Sequence, residues 1–191
     1  VFVFYNDTNF KVRGWINRNR ILCNNNEYVF TIGCEKISQN KRICDTKLHF
    51  KKKQKKKLLD TIYLNYKKAP YFEPIYDIFY KTINSDVTFI DELAISSVKN
   101  ICQFLALKKT FKISKNLYSN DNLKGENRLI DICTKEKISK YINLIGGQDI
   151  YDKEYFLEKG IELSFLKSNP LSYVQFKSPF IPFLSIIDVL M

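Results

Sequence analysis

The residues from Phe4 to Leu22, FYNDTNFKVRGWINRNRIL, concentrate long polar side chains around the only tryptophan of the chain. Arginine guanidinium groups suit phosphate oxygens, which they can bind through paired hydrogen bonds. An indole can stack on a flat ring or a sugar face, and an asparagine amide can both donate to a hydroxyl group and accept from it. The block therefore predicts a binding site for a polar, anionic ligand. The candidate binding residues are Lys11, Arg13, Trp15, Asn17, Arg18 and Asn19.

The same block also admits a structural interpretation. In that interpretation Trp15 belongs to the core, the asparagines fix turns and the arginines lie on the surface. The alternation within residues 15–20 predicts a strand, because successive side chains of a strand point to opposite faces. One face of this strand would carry Trp15, Asn17 and Asn19.

A second candidate site follows the apolar run VFVFY at residues 1–5. Such a run predicts a strand buried on both faces, as in a parallel sheet. In open α/β sheets, ligands bind outside the carboxyl ends of the strands. Asn6, Asp7 and Asn9 come directly after the predicted strand and are therefore candidate site residues. The alternative role for Asp7 is that of an Asx-turn residue.

Further candidates lie at predicted helix ends. Asn65, Tyr66 and Tyr71 flank the end of a predicted helix before Pro70. They could line a pocket, or they could simply pack at the helix terminus. The segment KGENRLIDIC, at 124–133, predicts a helix whose free N–H groups and Arg128 would bind an anion.

The remaining candidate site residues are two glycines and two residues near the C-terminus. Gly146 and Gly147 allow a ligand to approach the backbone closely, although an ordinary turn explains them equally well. The tail FIPFLSIIDVLM predicts the start of an apolar helix whose polar face carries Ser185 and Asp188. Asp188 has the alternative role of a helix cap or a surface acid.

These residues must be positioned by alternating strands and helices. Strands are predicted at 1–5, 15–20, 27–37, 110–114 and 161–166, and residues 141–151 predict a strand, a glycine turn and a helix start. Helices are predicted from Lys55 to Pro70, after Pro74, and from TFID at 88–91, where Thr88 and Asp91 have the spacing of a capping box. This order predicts an α/β protein with a mainly parallel sheet flanked by helices in a Rossmann-like layered architecture.

Composition limits the remaining possibilities. The 191 residues favour a single domain over 1–191, and no run of about 18 uncharged apolar residues predicts a transmembrane segment. Five irregularly spaced cysteines without a CxxC motif indicate reduced, structural thiols in a cytoplasmic protein. A single histidine excludes a multi-histidine metal centre, and no metal site is predicted.

The net charge of +11 is partly local, because KLHFKKKQKKKLL at 47–59 holds seven lysines. We expect a solvated basic loop at 47–57. The alternative is a patch that binds nucleic acid or an anionic lipid. No recognisable RNA-binding or zinc-finger motif supports nucleic-acid binding.

Five blocks of the sequence resemble the WbqC-like proteins, which are found among bacterial genes for O-antigen and other surface polysaccharides. They occur in the expected order: FYNDTNFKVRGWINRNRIL at 4–22, LNYKKAPYF at 64–72, GENRL at 125–129, YINLIGG at 141–147 and FLSIIDVL at 183–190. Family members open with an additional strand and helix, and they carry two aspartates where this chain has Asn6 and Asp7. Because Val1 lies inside a predicted strand, we expect an N-terminally incomplete fragment.

The resemblance implies a cytoplasmic role in surface-glycan assembly, with transfer of an acyl or aminoacyl group, such as glycyl, to the amine of a nucleotide-linked amino sugar. It adds Asn127, in the matched GENRL block, to the candidate substrate-binding residues. Such a transfer needs a base that takes a proton from the amine. Asp7 is the first candidate for this catalytic role and Asp188 the second.

The implied partners are the nucleotide-linked amino sugar, an activated acyl or aminoacyl donor, and other enzymes of the glycan pathway. No cofactor is identified. Two other hypotheses remain open: a non-catalytic protein that binds the sugar nucleotide or a partner enzyme, and a basic module that binds nucleic acid. A basic stripe that joins residues 51–57 to Arg13, Arg18 and Arg20 would favour the last hypothesis.

Overall fold

The computed structural model describes residues 1–169, 172–176 and 179–191. The chain divides into two compact units: unit 1 comprises Val1–Lys115 with Ser172–Met191, and unit 2 comprises Asn116–Leu171. The interpretation of the whole chain as one domain stays a prediction. Within the described residues, no helix has the length and apolar character needed to cross a membrane.

Within the described residues, three strands are followed by three helices, and from residue 111 onward strands and helices alternate as the sequence predicts. The strands are β1 (Phe2–Phe4), β2 (Arg18–Cys23), β3 (Asn26–Thr31), β4 (Phe111–Ile113), β5 (Lys140–Leu144) and β6 (Glu162–Leu166). The helices are α1 (Lys52–Tyr66), α2 (Phe72–Ile83), α3 (Ile90–Phe104), α4 (Gly125–Lys135), α5 (Lys153–Glu158) and α6 (Ile186–Leu190). Short 3-10 helices occupy Ile43–Asp45 and Ile145–Gly147.

The strands of the described residues form three two-stranded sheets instead of one large sheet. The pairs β1–β4 and β5–β6 are parallel, and β2–β3 is antiparallel. The chain is therefore a mixed α and β protein, and the predicted Rossmann-like layering is not confirmed. The antiparallel pair follows from its connection, since strands joined by a two-residue turn must run in opposite directions.

Two asparagines make the turn of the β2–β3 hairpin. Asn24 and Asn25 have φ values of 50° and 61°, and Cys23 pairs with Asn26 on either side of them. A two-residue turn of this type needs positive φ at both central residues, and asparagine tolerates that conformation better than most residues. The turn therefore fixes the register of the whole hairpin.

The prediction that the first strand is buried on both faces is wrong. Phe2 is 49% exposed, and β4 is the only strand that pairs with β1 within the described residues. The aromatic side chains instead cover one another, with the rings of Phe4 and Phe111 stacked at a centroid distance of 5.5 Å. The prediction that ligand-binding groups follow the strand does not depend on burial of both faces.

The core of unit 1 lies between the hairpin and the helices. Helix α1 buries Leu58, Leu59, Ile62 and Tyr66, which recur at helical spacing. The helix begins at Lys52, three residues before the predicted start, so the second half of the expected basic loop at 47–57 is helical. Its lysines follow the helix surface, and most of them are exposed.

The start of α3 differs from the predicted capping box. Phe89 is the residue that precedes the first helical turn. The Glu92 carboxylate accepts hydrogen bonds from the backbone N–H groups of Thr88 and Phe89, each at 2.9 Å. Glu92 therefore performs the capping that the spacing of Thr88 and Asp91 predicts for Asp91.

The tail is fastened to the core through the Asp188 carboxylate. Tyr66 donates its hydroxyl proton to Asp188 Oδ1 at 2.5 Å, and Tyr173 donates to Oδ2 at 2.5 Å. The Tyr66 oxygen in turn accepts the backbone N–H of Leu22 at 2.7 Å. Burial raises the pKa of both phenols, and that of Tyr173 reaches about 12. Both tyrosines therefore remain protonated donors at neutral pH.

Unit 2 has its own small core. Helix α4 contributes Cys133 and helix α5 contributes Phe156, and both pack with Ile161 and Leu163 beside the β5–β6 pair. The ring of Tyr141 stacks on Phe156 at a centroid distance of 5.8 Å. The predicted order of strand, glycine turn and helix from 141 onward is confirmed, although α5 starts only at Lys153.

We expect the double change Lys52→Glu and Lys53→Glu to raise the free energy of unfolding by about 1 kcal/mol at low salt. The first turn of α1 contains no acidic residue, and a carboxylate there would interact favourably with the positive end of the helix dipole. Urea denaturation measures the change. Lys67→Glu, at the C-terminal end of the same helix, is the control and should act in the opposite direction. A double variant that is less stable than wild type would show that these lysines make stabilising contacts.

We expect Tyr66→Phe to lower the free energy of unfolding by about 3 kcal/mol, because the buried N–H of Leu22 and one oxygen of Asp188 lose their partner. Tyr173→Phe should cost about 1 kcal/mol, since a Gln175 amide still donates to the same oxygen at 3.1 Å. Thermal unfolding followed by circular dichroism checks both values. Equal effects from the two variants would contradict the central role of Tyr66.

Candidate functional site

The indole of Trp15 lies on the surface beneath two arginines. Its side chain is 58% exposed, and the guanidinium carbons of Arg18 and Arg20 lie 5.6 and 4.9 Å from the ring centroid. Arg20 is also paired with Glu27 at 3.2 Å. Arg18 donates to the carbonyl oxygen of Arg13 at 3.0 Å, and it forms no ion pair with a carboxylate of the described residues. Of the two arginines at this ring, Arg18 is therefore the one that is available to an anionic ligand. We call Trp15, Arg18 and Arg20 the Trp15 surface.

Trp15 does not share a strand face with the two asparagines, so that prediction is wrong. Strand β2 begins only at Arg18, because Asn17 donates to Ile32 through its side-chain amide instead of its backbone N–H. The Asn17 side chain donates to the Ile32 carbonyl at 2.9 Å, while the Ile32 N–H donates to the Asn17 carbonyl at 2.7 Å. Asn17 is buried and extends the hairpin, and Trp15 lies in a bend before it.

A cavity of about 480 Å³ opens beside this surface. Its volume lies within the range of small-molecule pockets. Trp15, Asn17, Arg18 and Asn19 form its polar margin. Its walls are mostly apolar side chains of α2, α3 and α6, among them Ile78, Ile83, Leu93, Val98, Ile101 and Ile187.

Four side chains form a buried polar group, which we call the carboxylate cluster: Asn6, Asp7, Asp91 and Ser114. Asn6 donates to Asp91 Oδ2 at 2.7 Å, and Ser114 donates to Asp7 Oδ1 at 2.5 Å. The Asn6 carbonyl oxygen accepts the backbone N–H of Lys115 at 3.1 Å and lies 3.3 Å from the Ser114 hydroxyl. The cluster therefore links two carboxylates through one amide and one hydroxyl.

The β1–β4 pair explains how the cluster forms. The two strands are parallel, with Phe4 opposite Ile113, so their carboxyl ends meet at one edge. Asn6 and Asp7 follow β1, and Ser114 follows β4. This is the position predicted for Asn6 and Asp7, and the strand predicted at 110–114 carried the signal that could have added Ser114. Asp91 was missed because its spacing also fits a capping box.

Asn9, Lys11 and Arg13 lie in the connection between β1 and β2. Asn9 forms a backbone bridge with Arg42, and its side chain is exposed. Lys11 and Arg13 are exposed, and Arg13 has a positive φ of 63°. Asn19 lines the cavity and accepts the backbone N–H of Arg20 at 2.8 Å. A role for these residues in ligand binding stays a prediction.

The candidates near the end of α1 and in the tail make structural contacts. The Asn65 side chain accepts the N–H of Asn24 at 2.9 Å and thereby holds the hairpin turn. Tyr66 and Asp188 are buried and bonded to each other. Ser185 is buried at the start of α6, where its N–H donates to the Arg20 carbonyl at 2.7 Å, and it also lines the cavity.

Tyr71 differs from the buried Tyr66 and Asp188, because its side chain is 65% exposed. Its backbone N–H donates to the carbonyl of Met191 at 2.9 Å. The geometry explains a structural role for Asn65, Tyr66 and Asp188 without a ligand. Both oxygens of Asp188 accept protein hydrogen bonds, which weakens its candidacy as a base.

Four residues that the sequence predicts to bind a ligand lie in unit 2: Asn127, Arg128, Gly146 and Gly147. Arg128 is buried and donates to Asn120 at 2.9 Å and Asp121 at 3.2 Å. Asn127 accepts the hydroxyl of Tyr155 at 2.7 Å. A Cβ on Gly147 would lie 3.1 Å from the Tyr151 ring, so close packing accounts for this glycine, whereas a Cβ on Gly146 would meet open space. Ligand binding by these residues stays a prediction.

Within the described ranges, no group of three or more histidine, cysteine or acidic side chains could hold a metal ion. Three features are candidates for ligand binding in this part of the chain: the Trp15 surface, the cavity and the carboxylate cluster. All three belong to unit 1. Helix α3 contributes to two of them, since Ile90 and Leu93 line the cavity and Asp91 joins the cluster.

Comparison with known proteins gives one positive result. No curated protein and no solved structure shows a significant match to the chain. The model of the WbqC-like protein family matches residues 1–191, which is the whole chain. The chain therefore belongs to the WbqC-like protein family.

Proposed function

We propose that this protein transfers an acyl or aminoacyl group to the amine of a nucleotide-linked amino sugar during the assembly of a bacterial surface glycan. The observation that carries the proposal is the guanidinium of Arg18, stacked on the exposed Trp15 at the margin of a cavity. Family membership is compatible with such a role.

The Trp15 surface offers the two interactions that a nucleotide needs. A guanidinium group that has no carboxylate partner can bind phosphate oxygens, and it is more weakly hydrated than an ammonium group. The exposed indole ring can stack on a base. The neighbouring exposed cations, Lys11 and Arg13, would add to the attraction of a diphosphate.

The carboxylate cluster offers the base that amide formation requires. In the proposed step, the amine nitrogen attacks the donor carbonyl carbon and a C–N bond forms. The bond from that carbon to the leaving group breaks, and the leaving group departs with the electron pair. The amine proton passes to Asp7, which already accepts a hydrogen bond from Ser114. Asp7 is preferred to Asp188, because Asp7 follows β1 at the edge where the carboxyl ends of two parallel strands meet, whereas Asp188 fastens α6 to the core.

The donor of the proposal is an activated acyl or aminoacyl compound, and other enzymes of the glycan pathway are its expected partners. A cytoplasmic location belongs to the same proposal, because sugar nucleotides are made in that compartment. A glycyl group is one donor that satisfies the chemistry.

Two further candidate functions each have one observation in their favour. Non-catalytic binding of a sugar nucleotide is favoured by Asp7, which is buried and already bonded within the protein. Binding of a nucleic acid is favoured by the lysines in the first turns of α1, of which Lys56 is paired with Asp60 at 3.5 Å. The experiments below separate these candidates.

We expect nucleotide-linked 4-amino sugars to raise the melting temperature of the wild-type protein, because a ligand that binds only the native state stabilises it. Arg18→Ala should lose this shift and bind at least about tenfold more weakly by calorimetry. Lys81→Ala is the matched control, since Lys81 is an exposed cation of the same unit that is paired with Asp77. The panel includes plain nucleotides and a short RNA.

Three outcomes decide between the candidates. A shift with RNA alone that disappears at high salt would replace the proposal with nucleic-acid binding. An equal loss of binding in Arg18→Ala and Lys81→Ala would show that general charge, and not the Trp15 surface, attracts the ligand. Binding that depends on Arg18 supports the proposal.

We expect Asp7→Asn to reduce acyl transfer by about 100-fold or more while the affinity for the nucleotide-linked amino sugar stays within about twofold of wild type. Mass spectrometry of the sugar product, with glycyl and acyl thioesters as donors, measures the rate. Transfer by the wild type that persists in Asp7→Asn would exclude Asp7 as the base. Binding without transfer under every donor would favour the non-catalytic candidate.

A further inference from the structure

We propose that Asp91 binds the amine of the acceptor through its carboxylate oxygen Oδ1, and that it thereby selects amino sugars over hydroxyl sugars. This inference rests on the proposed function and names the residue that recognises the acceptor. Asp91 is 7% exposed, and its Oδ1 atom is buried without a hydrogen-bond partner. It is the only buried side-chain nitrogen or oxygen in this condition among the described residues.

A buried carboxylate oxygen without a partner destabilises the folded protein. Desolvation of such a group is unfavourable when no hydrogen bond replaces the lost water. Buried polar groups are therefore nearly always paired, and an exception calls for a functional or structural reason. A ligand that donates to Oδ1 would remove this cost on binding.

No role in the fold explains the unpaired Oδ1 atom of Asp91. The capping of α3 is carried out by Glu92, which accepts from both backbone N–H groups that precede the helix. No lysine or arginine of the described residues lies within ion-pair distance of Asp91. Its side chain accepts a hydrogen bond from the side chain of Asn6 at Oδ2, which leaves Oδ1 without a partner.

The carboxylate cluster holds Asp91 in a fixed orientation. Asn6 is itself anchored, because its carbonyl oxygen accepts the backbone N–H of Lys115 at 3.1 Å. The amide group of Asn6 must therefore present its nitrogen to Asp91. The Ser114 hydroxyl lies 3.3 Å from the same carbonyl oxygen and donates its single proton to Asp7, so Asp7 lies beside the group that holds Asp91.

A primary amine fits this arrangement better than a hydroxyl group or a metal ion. A protonated amine offers three N–H donors and a positive charge, both of which two neighbouring carboxylates favour. A sugar hydroxyl offers one donor and no charge. A divalent metal requires more oxygen ligands than the cluster supplies, since the Asn6 and Ser114 hydrogens already face the carboxylates.

In this proposal, Asp91 and Asp7 have different roles in the reaction. Asp91 binds the protonated amine and orients it. Asp7 takes one of the ammonium protons, which frees the nitrogen lone pair for attack on the donor carbonyl, and the second N–H proton goes to the leaving group when the C–N bond forms. Helix α3 contributes to both the carboxylate cluster and the cavity, because its first turn carries Asp91 as well as Ile90 and Leu93, which line the cavity beside the Trp15 surface.

The test compares a nucleotide-linked 4-amino sugar with the same compound that carries a hydroxyl group at that position. Calorimetry gives the affinity of both for wild type and for Asp91→Asn. We expect wild type to prefer the amino sugar by about tenfold or more, and Asp91→Asn to lose this preference while its affinity for the hydroxyl sugar stays within about twofold. Asp86→Asn is the matched control, since Asp86 is an exposed aspartate shortly before α3.

A ligand-free measurement separates recognition from a structural role. Asp91→Asn keeps an oxygen that can accept from Asn6 and changes only the group at Oδ1. Because Oδ1 has no partner, we expect this variant to melt within about 2 °C of wild type or above it. A fall of more than about 5 °C would assign Asp91 to the fold and overturn the inference.

The remaining outcomes distinguish this inference from the proposed function. If neither sugar nucleotide binds wild type, the proposed function fails and the inference fails with it. If both bind wild type equally, or if Asp91→Asn weakens both alike, the inference alone fails. Stabilisation of wild type but not of Asp91→Asn by magnesium or calcium chloride, without a preference for the amino sugar, would replace the amine with a metal ion.

Discussion

The hydroxyl group of Tyr66 connects three segments that are far apart along the chain. It accepts from the backbone of β2 at Leu22 and donates to Asp188 of α6, while its ring lies in the core on α1. Without this hydroxyl group, the backbone N–H of Leu22 and the Oδ1 atom of Asp188 would be buried without this partner. The cavity depends on the same contact, because residues 185–187 and the hairpin both contribute to its walls. The candidate site therefore rests on a hydrogen bond that takes no part in chemistry.

Local patterns predicted the elements but not the sheets. The helices were predictable because α1, α2 and α3 repeat apolar residues at helical spacing, and Pro74 lies in the first turn of α2 as expected. Strand pairing was not predictable, since the partner of Phe2 is Phe111, more than 100 residues away. The hairpin had a local signal in Asn24 and Asn25, whose type suits a tight turn.

In the candidate site, too, some residues could be predicted from the neighbouring sequence, and others depend on contacts between distant parts of the chain. Asn6 and Asp7 could be predicted because they follow a strand, and the parallel partner then determines what they meet. Asp91 could not be predicted from its spacing, because Glu92 is an equally good capping acid. One residue along a helix corresponds to a rotation of about 100°, so one acid accepts from the backbone while its neighbour faces a buried cluster. Local sequence cannot decide which of two adjacent acids takes which role.

Trp15 gives the protein a built-in optical probe. It is the single tryptophan of the chain, it is exposed, and two guanidinium groups lie against its ring. Indole emission responds to the water and charges around the ring, so the intrinsic fluorescence of this protein reports on one surface. Displacement of an arginine by an anion would alter that signal. The hydrophobic core would not contribute to it, because the single tryptophan lies on the surface. The same property means that a tryptophan signal would be a poor measure of global unfolding.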